Sequence, residues 1–557
     1  MVRVKTIILM VCAVSLVLLI ACGGDTPSQE SSGKATDTSG SSQAKPVSTS
    51  APAQVKKSQT VRVMNGVWSN ELWTPRDGVG ENAAYGRQLH AYWITGDENV
   101  QMKPSVLTDW AVSADGLSWD LTLRDGITFH NGEELTVDDA LFTLDFNFGD
   151  EAKEKALSPS LIAEAEDTES YEITGPNTLR ITHKSPKAYF PFFMSELSFG
   201  VAGVVLPEDY FNEVGIDGYN EAPIGAGPFK LLEHKISEHM KFERFEDFFN
   251  TDRRPSYSNL DMYLVPEVST RVAALRADQV DIIEANLSVA NQVESGGGRI
   301  VWANESSYMW MILPNCDEDV FCNKKEVRQA LDYAIDKNLI VEELYGGGAA
   351  IAKGWVYVTP SALGYSPEVD PYPFDVAKAQ SLLAAAGYPG GKGAPEFNIY
   401  TWNAGDLPYL PEQAQLIADM WKKHLGLKVD VVVGEASTTR EKWYAGELAG
   451  HVLLRSNEAR WDGGSITNAL YGQWDGRAHI GGRREDTKAA AHEAMDVVDP
   501  SLRQAAFEKA YNFLFDEHYE FGGGYVNLPW GVGPKIKSWS PWPVVPYQTA
   551  MWTIELN

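Results

Sequence analysis

Leu117-Ser118-Trp119-Asp120-Leu121-Thr122-Leu123-Arg124-Asp125-Gly126-Ile127-Thr128-Phe129-His130-Asn131-Gly132 opens on apolar Trp119, Leu121 and Leu123 separated by Asp120 and Thr122. That is the period of two expected for a strand with one face buried. Leu179-Arg180-Ile181-Thr182 repeats the pattern, and Val61-Arg62-Val63-Met64 begins the globular part in the same way. Asn398-Ile399-Tyr400-Thr401 and Val429 to Val433 read as buried strands in the second half. Helical segments alternate with these strands. Asn323 and Glu326 have the spacing of a capping box ahead of Val327, Leu331, Ala334 and Ile335. Asp375 starts a run through Leu382, Leu383 and Ala386 that Gly387 closes. Pro411 opens a helix with Leu416, Met420 and Trp421 ending before Gly426, and Asp499-Pro500 opens another through Phe507, Tyr511 and Leu514. Strands alternating with helices along the whole body predict layered α/β architecture.

The chain has 557 residues, 44% hydrophobic and 22% charged, with 47 Lys and Arg against 76 Asp and Glu and a net charge of −29. Such a surface repels nucleic acid and anionic lipid headgroups, so a nucleic-acid partner is excluded. Motifs of catalysis are missing. No His-Glu-x-x-His or Gly-x-Ser-x-Gly occurs, and Gly387 to Gly393 has the wrong glycine spacing for a phosphate loop. No catalytic residue, metal site or cofactor is assigned, and the expectation is a binding protein rather than an enzyme. The 17 Trp, 23 Tyr and 21 Phe serve either a core or a stacking wall for a ligand.

Residues 1–21 have the layout of a signal peptide: Arg3 and Lys5 precede an apolar run from Ile7 to Ile20, shorter than the ~20 residues of a membrane span. The run ends in Leu19-Ile20-Ala21-Cys22, which resembles the bacterial lipobox, so Cys22 is the expected lipidation site. Residues 22–58, rich in Ser, Thr, Gly, Pro and Ala, read as a lipid-anchored flexible linker. Contact with the membrane is then through the N-terminal lipid only, with an extracytoplasmic location, periplasmic or at the cell surface. Cys316 and Cys322 remain in the body. In an oxidising compartment a disulfide is expected, since two Cys without nearby His make a poor metal site.

The opening stretch resembles the "LR-x-G-x-x-F-H-x-G" signature of family 5 extracellular solute-binding proteins, the oligopeptide, dipeptide and nickel receptors of ABC importers. Thr136-Val137-Asp138-Asp139-Ala140 resembles the helix start that follows it, and Gly225-Ala226-Gly227-Pro228-Phe229-Lys230-Leu231 resembles "G-T-G-P-Y-x-L". Arg271 to Ile283 is similar to "R-x-x-x-L-x-x-G-x-x-D-I", with Asp278-Gln279 where the Gly is usual. Glu326 to Asp336 is similar to "V-R-Q-A-L-x-Y-A-I-D", and Asp375 to Tyr388 to "D-x-x-K-A-x-x-L-L-x-x-A-G-Y". The resemblance covers the whole body. It implies the two-lobed periplasmic-binding-protein fold, type II in its large three-subdomain variety, with a hinge and the ligand enclosed between lobes. Residues 59–315, with 522–557 returning, would form lobe I and residues 316–521 lobe II. The chain crossings would fall near Pro314 and Gly522-Gly523-Gly524, with Cys316–Cys322 stapling the entry to lobe II. The implied partners are an ABC permease and ATPase, and a monomer is expected.

In the family's peptide receptors an Asp in "W-x-A-D-Y" holds the ligand's amino group. Aligning Ala459 with that motif puts Arg460 at the Asp and Trp461 at the Tyr, with Asp462 next. An Arg there suits a carboxylate through a bidentate fork, or else it is a solvated loop residue. Trp68, after the first strand and near Asn65 at that strand's end, Trp402 after a strand of the second half, Trp461, and Trp355 are the aromatic candidates for the cleft. Trp119, Trp421 and Trp552 fall on core positions. The candidate ligand-binding set is therefore Asn65, Trp68, Trp355, Trp402, Arg460, Trp461 and Asp462. The ligand expected is a peptide-like solute. An oligosaccharide of the cello-oligosaccharide kind is the alternative, and a sensory or chaperone-like use of the fold without transport is another.

Overall fold

The computed structural model describes residues 59–557 apart from 69, 78–81, 158, 199–201, 315, 317–320, 347, 356, 404–408, 460, 468–469, 472–483 and 545–548. Cys22, the signal segment, the whole of the linker and Arg460 therefore lie outside the described residues. The described residues fall in one compact unit. No helix among the described residues is long and apolar enough to cross a membrane.

Strand β1 (Thr60–Asn65) leads into helix α1 (Ala83–Leu89). A four-stranded antiparallel sheet follows, built from β2 (Leu107–Val112), β3 (Ser118–Leu123), β4 (Thr168–Gly175) and β5 (Thr178–His183) in the order β2-β3-β5-β4. The alternation of the opening stretch is the burial pattern of β3: Trp119, Leu121 and Leu123 are buried. Helix α2 (Val137–Phe148) inserts between β3 and β4 and starts with a complete Thr136–Asp139 capping box.

The larger sheet begins with β6 (Phe229–Lys235), β7 (His239–Arg244), β8 (Asn259–Leu264), helix α3 (Val268–Arg276) and β9 (Ile282–Glu284). The long strand β10 (Arg299–Ile312) leads to α4 (Lys325–Tyr333), α5 (Lys337–Tyr345) and β11 (Ala349–Ile351). Then come α6 (Val376–Ala385), β12 (Phe397–Trp402), α7 (Leu410–Leu425), β13 (Val429–Gly434), α8 (Ala436–Tyr444) and β14 (Val452–Glu458). Helix α9 (Pro500–Glu517) and the long strand β15 (Glu520–Val532) complete it. The strand order is β13-β12-β14-β10-β15-β9-β1-β8-β7-β6, with β11 paired to β15. Asp375 caps α6, Gly426 closes α7 in the left-handed conformation, and Asp499 with Pro500 starts α9, as the local signals predict. The Asn323–Glu326 capping box does not form. Asn323 belongs to a short 3₁₀ turn, and α4 begins after Lys324 without a side-chain cap.

Distant motifs meet in space. His130 Nδ1 accepts from Gly225 N at 3.3 Å, which leaves Nε2 as the donor to Gly227 O at 3.0 Å. Burial depresses the ring's pKa to about 4, keeping it neutral. A β-carbon at Gly225 or Gly227 would stand 2.2 or 2.6 Å from the Leu89 backbone, so this glycine motif lets two chain segments touch. The motif arginines are anchors for backbone carbonyls. Arg271 donates to Val265, Pro266 and Glu284 oxygens at 2.6–2.8 Å. Arg328 donates to Cys322, Asn323 and Glu517 oxygens while lying 3.9 Å over the Tyr519 ring. Cys316 and Cys322 are joined by a disulfide with Cα atoms 5.6 Å apart.

The larger sheet passes between two main hydrophobic cores through β10 and β15 alone. Ala303, Trp530 and Val532 pack in the core of the first half, with Val61, Val63 and Leu260. Met309, Met311, Phe521 and Val526 pack in the core of the second half, with Leu331, Trp421 and Leu453. The switch coincides with a bulge: Ala303 pairs with Leu528 and Ser307 with Val526, so Asn304, Glu305 and Ser306 face Asn527 alone. Glu305 takes the left-handed conformation, φ +54°, and its N–H donates to Asn527 Oδ1 at 2.8 Å. The Gly522–Gly524 triplet lies beyond this switch, inside the second core. There a side chain at Gly524 would meet the Ala350 carbonyl at 2.6 Å, so close packing explains that glycine.

Candidate ligand-binding site

At the end of β1, Asn65 is buried, Gly66 N donates to the Glu284 carboxylate at 3.0 Å, and Glu284 pairs across the sheet with Trp530 of β15. Trp68 is buried edge-on to Tyr85, 6.2 Å between rings. Asn65 Oδ1, Trp68 Nε1 and Trp530 Nε1 are all buried without a hydrogen-bond partner. Buried polar groups are nearly always paired, and these three unpaired atoms lie around one end of the sheet. Trp530 was not a sequence candidate: it sits in a continuous run where nothing distinguishes it from a core aromatic.

On the other half, Trp461 is half-buried, its carbonyl accepts from Leu363 N at 2.7 Å, and its ring lies 5.9 Å from Phe192 of the first half. A β-carbon at Gly464 would come within 3.3 Å of the Tyr189 ring, so the two halves touch here through Tyr189 and Phe192. Asp462 is fully engaged. Its Oδ2 accepts from Arg503 at 2.6 Å and its Oδ1 from Gly464 N at 2.9 Å, both within the second half.

Trp355 is buried behind this surface. It stacks on Tyr511 at 4.4 Å, and its Nε1 donates to the Glu520 carboxylate, which also accepts from Tyr471 OH at 3.1 Å. Burial pushes Glu520 up to about 8. Tyr511 packs on Phe507, and Arg503 lies 5.1 Å over Phe507, so Trp355, Tyr511, Phe507, Arg503, Asp462 and Trp461 form one chain of contacts. Trp402 stands apart from it, buried at the end of β12 beneath Arg440. Asn65 and Trp68 form their own group on the first half. Among the core assignments, Trp119 and Trp421 are buried and Trp552 is half-buried under the Arg253 guanidinium at 3.6 Å. Among the described residues no cluster of His, Cys, Asp or Glu could hold a metal ion.

The family model for bacterial extracellular solute-binding proteins, family 5 middle, matches residues 101–475. Heme-binding protein A of Haemophilus influenzae is 27% identical over 431 residues, covering 74% of this chain and 77% of that protein. Glutathione-binding protein GsiB of Pectobacterium atrosepticum is 24% identical over 392 residues, covering 69% and 71%. Among solved structures, HbpA2 of Haemophilus parasuis superposes with a TM-score of 0.75 at 20% identity over 89% of this chain and all of that one (100%). The dipeptide-binding protein of Pseudoalteromonas sp. SM9913 in complex with Met-Leu gives 0.71 at 18% identity, covering 90% and 100%. The α/β architecture is thus that of the periplasmic binding proteins, and the chain belongs to family 5 of the bacterial extracellular solute-binding proteins.

Proposed function

We propose that this chain is the substrate-binding lipoprotein of an ABC importer, capturing a peptide-like solute between two lobes and presenting it to a permease. The observation that carries the reading is the passage of one sheet between two cores through β10 and β15 alone, with a three-against-one bulge at the switch. Such a pair of strands can bend as a hinge, and its opening would part the contacts that Val100, Phe192 and Leu197 of the first half make with the second core. The bulge at Asn304–Ser306 and Asn527 would be the hinge. Lobe I would then be the first half with the C-terminal segment, and lobe II the part between. Cys22 would carry the lipid and residues 22–58 the tether.

The unpaired atoms of Asn65, Trp68 and Trp530 would face the ligand from lobe I and the Trp461 ring from lobe II. Asp462, committed to Arg503, would shape the loop rather than hold an amine. Relatives named for heme, oligopeptides and glutathione define the ligand classes to try first. Tryptophan fluorescence and thermal melting of the tether-free body are expected to respond to a di- to oligopeptide. A folded protein silent to peptides that responds to cello-oligosaccharides would move the ligand class. One silent to peptides, sugars, heme and nickel–histidine would end the transport reading.

Arg460, at the position of the peptide receptors' amine-binding Asp, would receive a ligand carboxylate. Arg460→Ala is expected to weaken binding of the responding ligand by about 1–3 kcal/mol, the scale of a charged hydrogen bond. Unchanged affinity by calorimetry would remove that role.

A further inference from the structure

Away from the proposed ligand surface, a cavity of about 30 Å³ lies between the first half and the C-terminal segment, walled by Arg87, His90, Tyr92, Glu196, Arg253 and Trp552 among others. Arg87 closes one side and is only 5% exposed. Its Nη2 donates to the Glu196 and Ser198 carbonyls at 3.1 and 3.3 Å, while Nε and Nη1 are buried with no partner. Arg271 shows how the same chain completes a buried arginine: three short bonds to carbonyls from Nε and Nη1, and no fully buried nitrogen left without a partner. Arg87 lacks that completion, and among the described residues no carboxylate lies within ion-pair distance of it.

The charges of the wall do not cancel. Glu196 is the acidic group there, and it is already paired with Arg253 at 2.8 Å; its carboxylate also accepts from Thr95. Arg253 is further covered by the Trp552 ring, 3.6 Å away. Burial holds His90 neutral, with a pKa near 3, and keeps the Tyr92 phenol protonated. Among the described lining residues two guanidiniums therefore face one carboxylate, which leaves a single positive charge there. A buried charge persists when it is paired or hydrogen-bonded, because leaving it bare costs several kcal/mol.

We propose that this cavity is a binding site for one monovalent anion of halide size, with Arg87 as its principal partner. The space is about that of two water-sized spheres, which suits a small anion such as chloride or bromide. The bound anion would tie together the end of α1, the Glu196–Ser198 segment and the C-terminal Trp552. Its effect would therefore be on the stability of the first half rather than on solute affinity.

The test uses the lipid-free full chain in sodium chloride, sodium bromide and sodium gluconate at equal ionic strength, so that screening of the acidic surface is constant. Chloride and bromide are expected to raise the melting temperature above gluconate by roughly 1–3 °C in a saturable way. Crystals grown in bromide should show an anomalous peak beside Arg87. Arg87→Gln should abolish the halide-specific rise, and the crystal result on the unaltered protein stands even if that variant fails to fold. Equal melting in halide and gluconate overturns the site. So does a cavity without anomalous density, which would mean that water alone completes Arg87.

Discussion

Replacing Asp332 with alanine is expected to cost about 3–5 kcal/mol of folding stability, measured by urea denaturation. Asp332 lies on α4 with its side chain 3% exposed, and its carboxylate accepts from Lys337 at 2.8 Å, His518 Nε2 at 3.2 Å and Gly522 N at 3.1 Å. Burial opposes its ionisation, yet Lys337 and the His518 bond prevail and hold its pKa near 2. Removing it leaves the Lys337 ammonium, itself 9% exposed, with the Tyr372 carbonyl at 2.9 Å but no counter-charge, and frees the start of β15 from α4. Asp332→Asn keeps an acceptor for Gly522 and should lose less, and adding Lys337→Met to the alanine variant should recover part of the loss. A loss below about 1 kcal/mol would mean that water or a neighbouring group replaces the carboxylate.

Asp332 also shows what the sequence makes legible. It belongs to the segment Glu326 to Asp336, whose resemblance to the family identifies the fold, but the reason for its presence is visible only when Gly522 and His518 are brought beside it. The same holds for His130 with Gly225 and Gly227, and for Arg271 and Arg328 with their carbonyls. Local periodicity and end signals suffice for β3, α6, α7 and α9, because those depend on neighbours within a few residues. The capping box before α4 fails because the disulfide-linked turn at Phe321–Asn323, whose carbonyls Arg328 binds, fixes the helix entry instead.

The site was less legible than the fold. Trp68, which follows a strand, and Trp355 are both aromatic candidates for the cleft and both buried, one with an unpaired Nε1 and one committed to Glu520. Composition cannot separate those two states, since each depends on one partner distant in the chain. The resemblance implies chain crossings near Pro314 and Gly522-Gly523-Gly524. The change of core along β10 and β15 lies at a bulge containing Asn304, Glu305 and Ser306, where three residues face one, and that arrangement leaves no compositional trace.

Folding stability should peak near pH 6.5 and fall on both sides, for reasons of opposite sign. Burial depresses His90, His130 and His183 to about 3, 4 and 3, against 6.5 in the unfolded chain. Their contribution is present above pH 6.5 and is lost as pH falls towards those values, because the unfolded chain takes up protons that the fold refuses. Glu520 works the other way: burial raises it from 4.5 to about 8, so its contribution is present below pH 4.5 and is lost as pH rises through 8. Each group contributes about 1.4 kcal/mol per pH unit inside its window. Between pH 4.5 and 6.5 the three histidines outweigh the single carboxyl and stability climbs. From 6.5 to 8 Glu520 acts alone among these four, and about 2 kcal/mol should be lost. Glu520→Gln, which cannot ionise, should flatten the alkaline limb and leave the acid limb in place. Denaturation midpoints that keep rising from pH 6.5 to 8 in the unaltered protein would show that Glu520 is ionised in the fold, with Arg455 as the cation available to hold its charge.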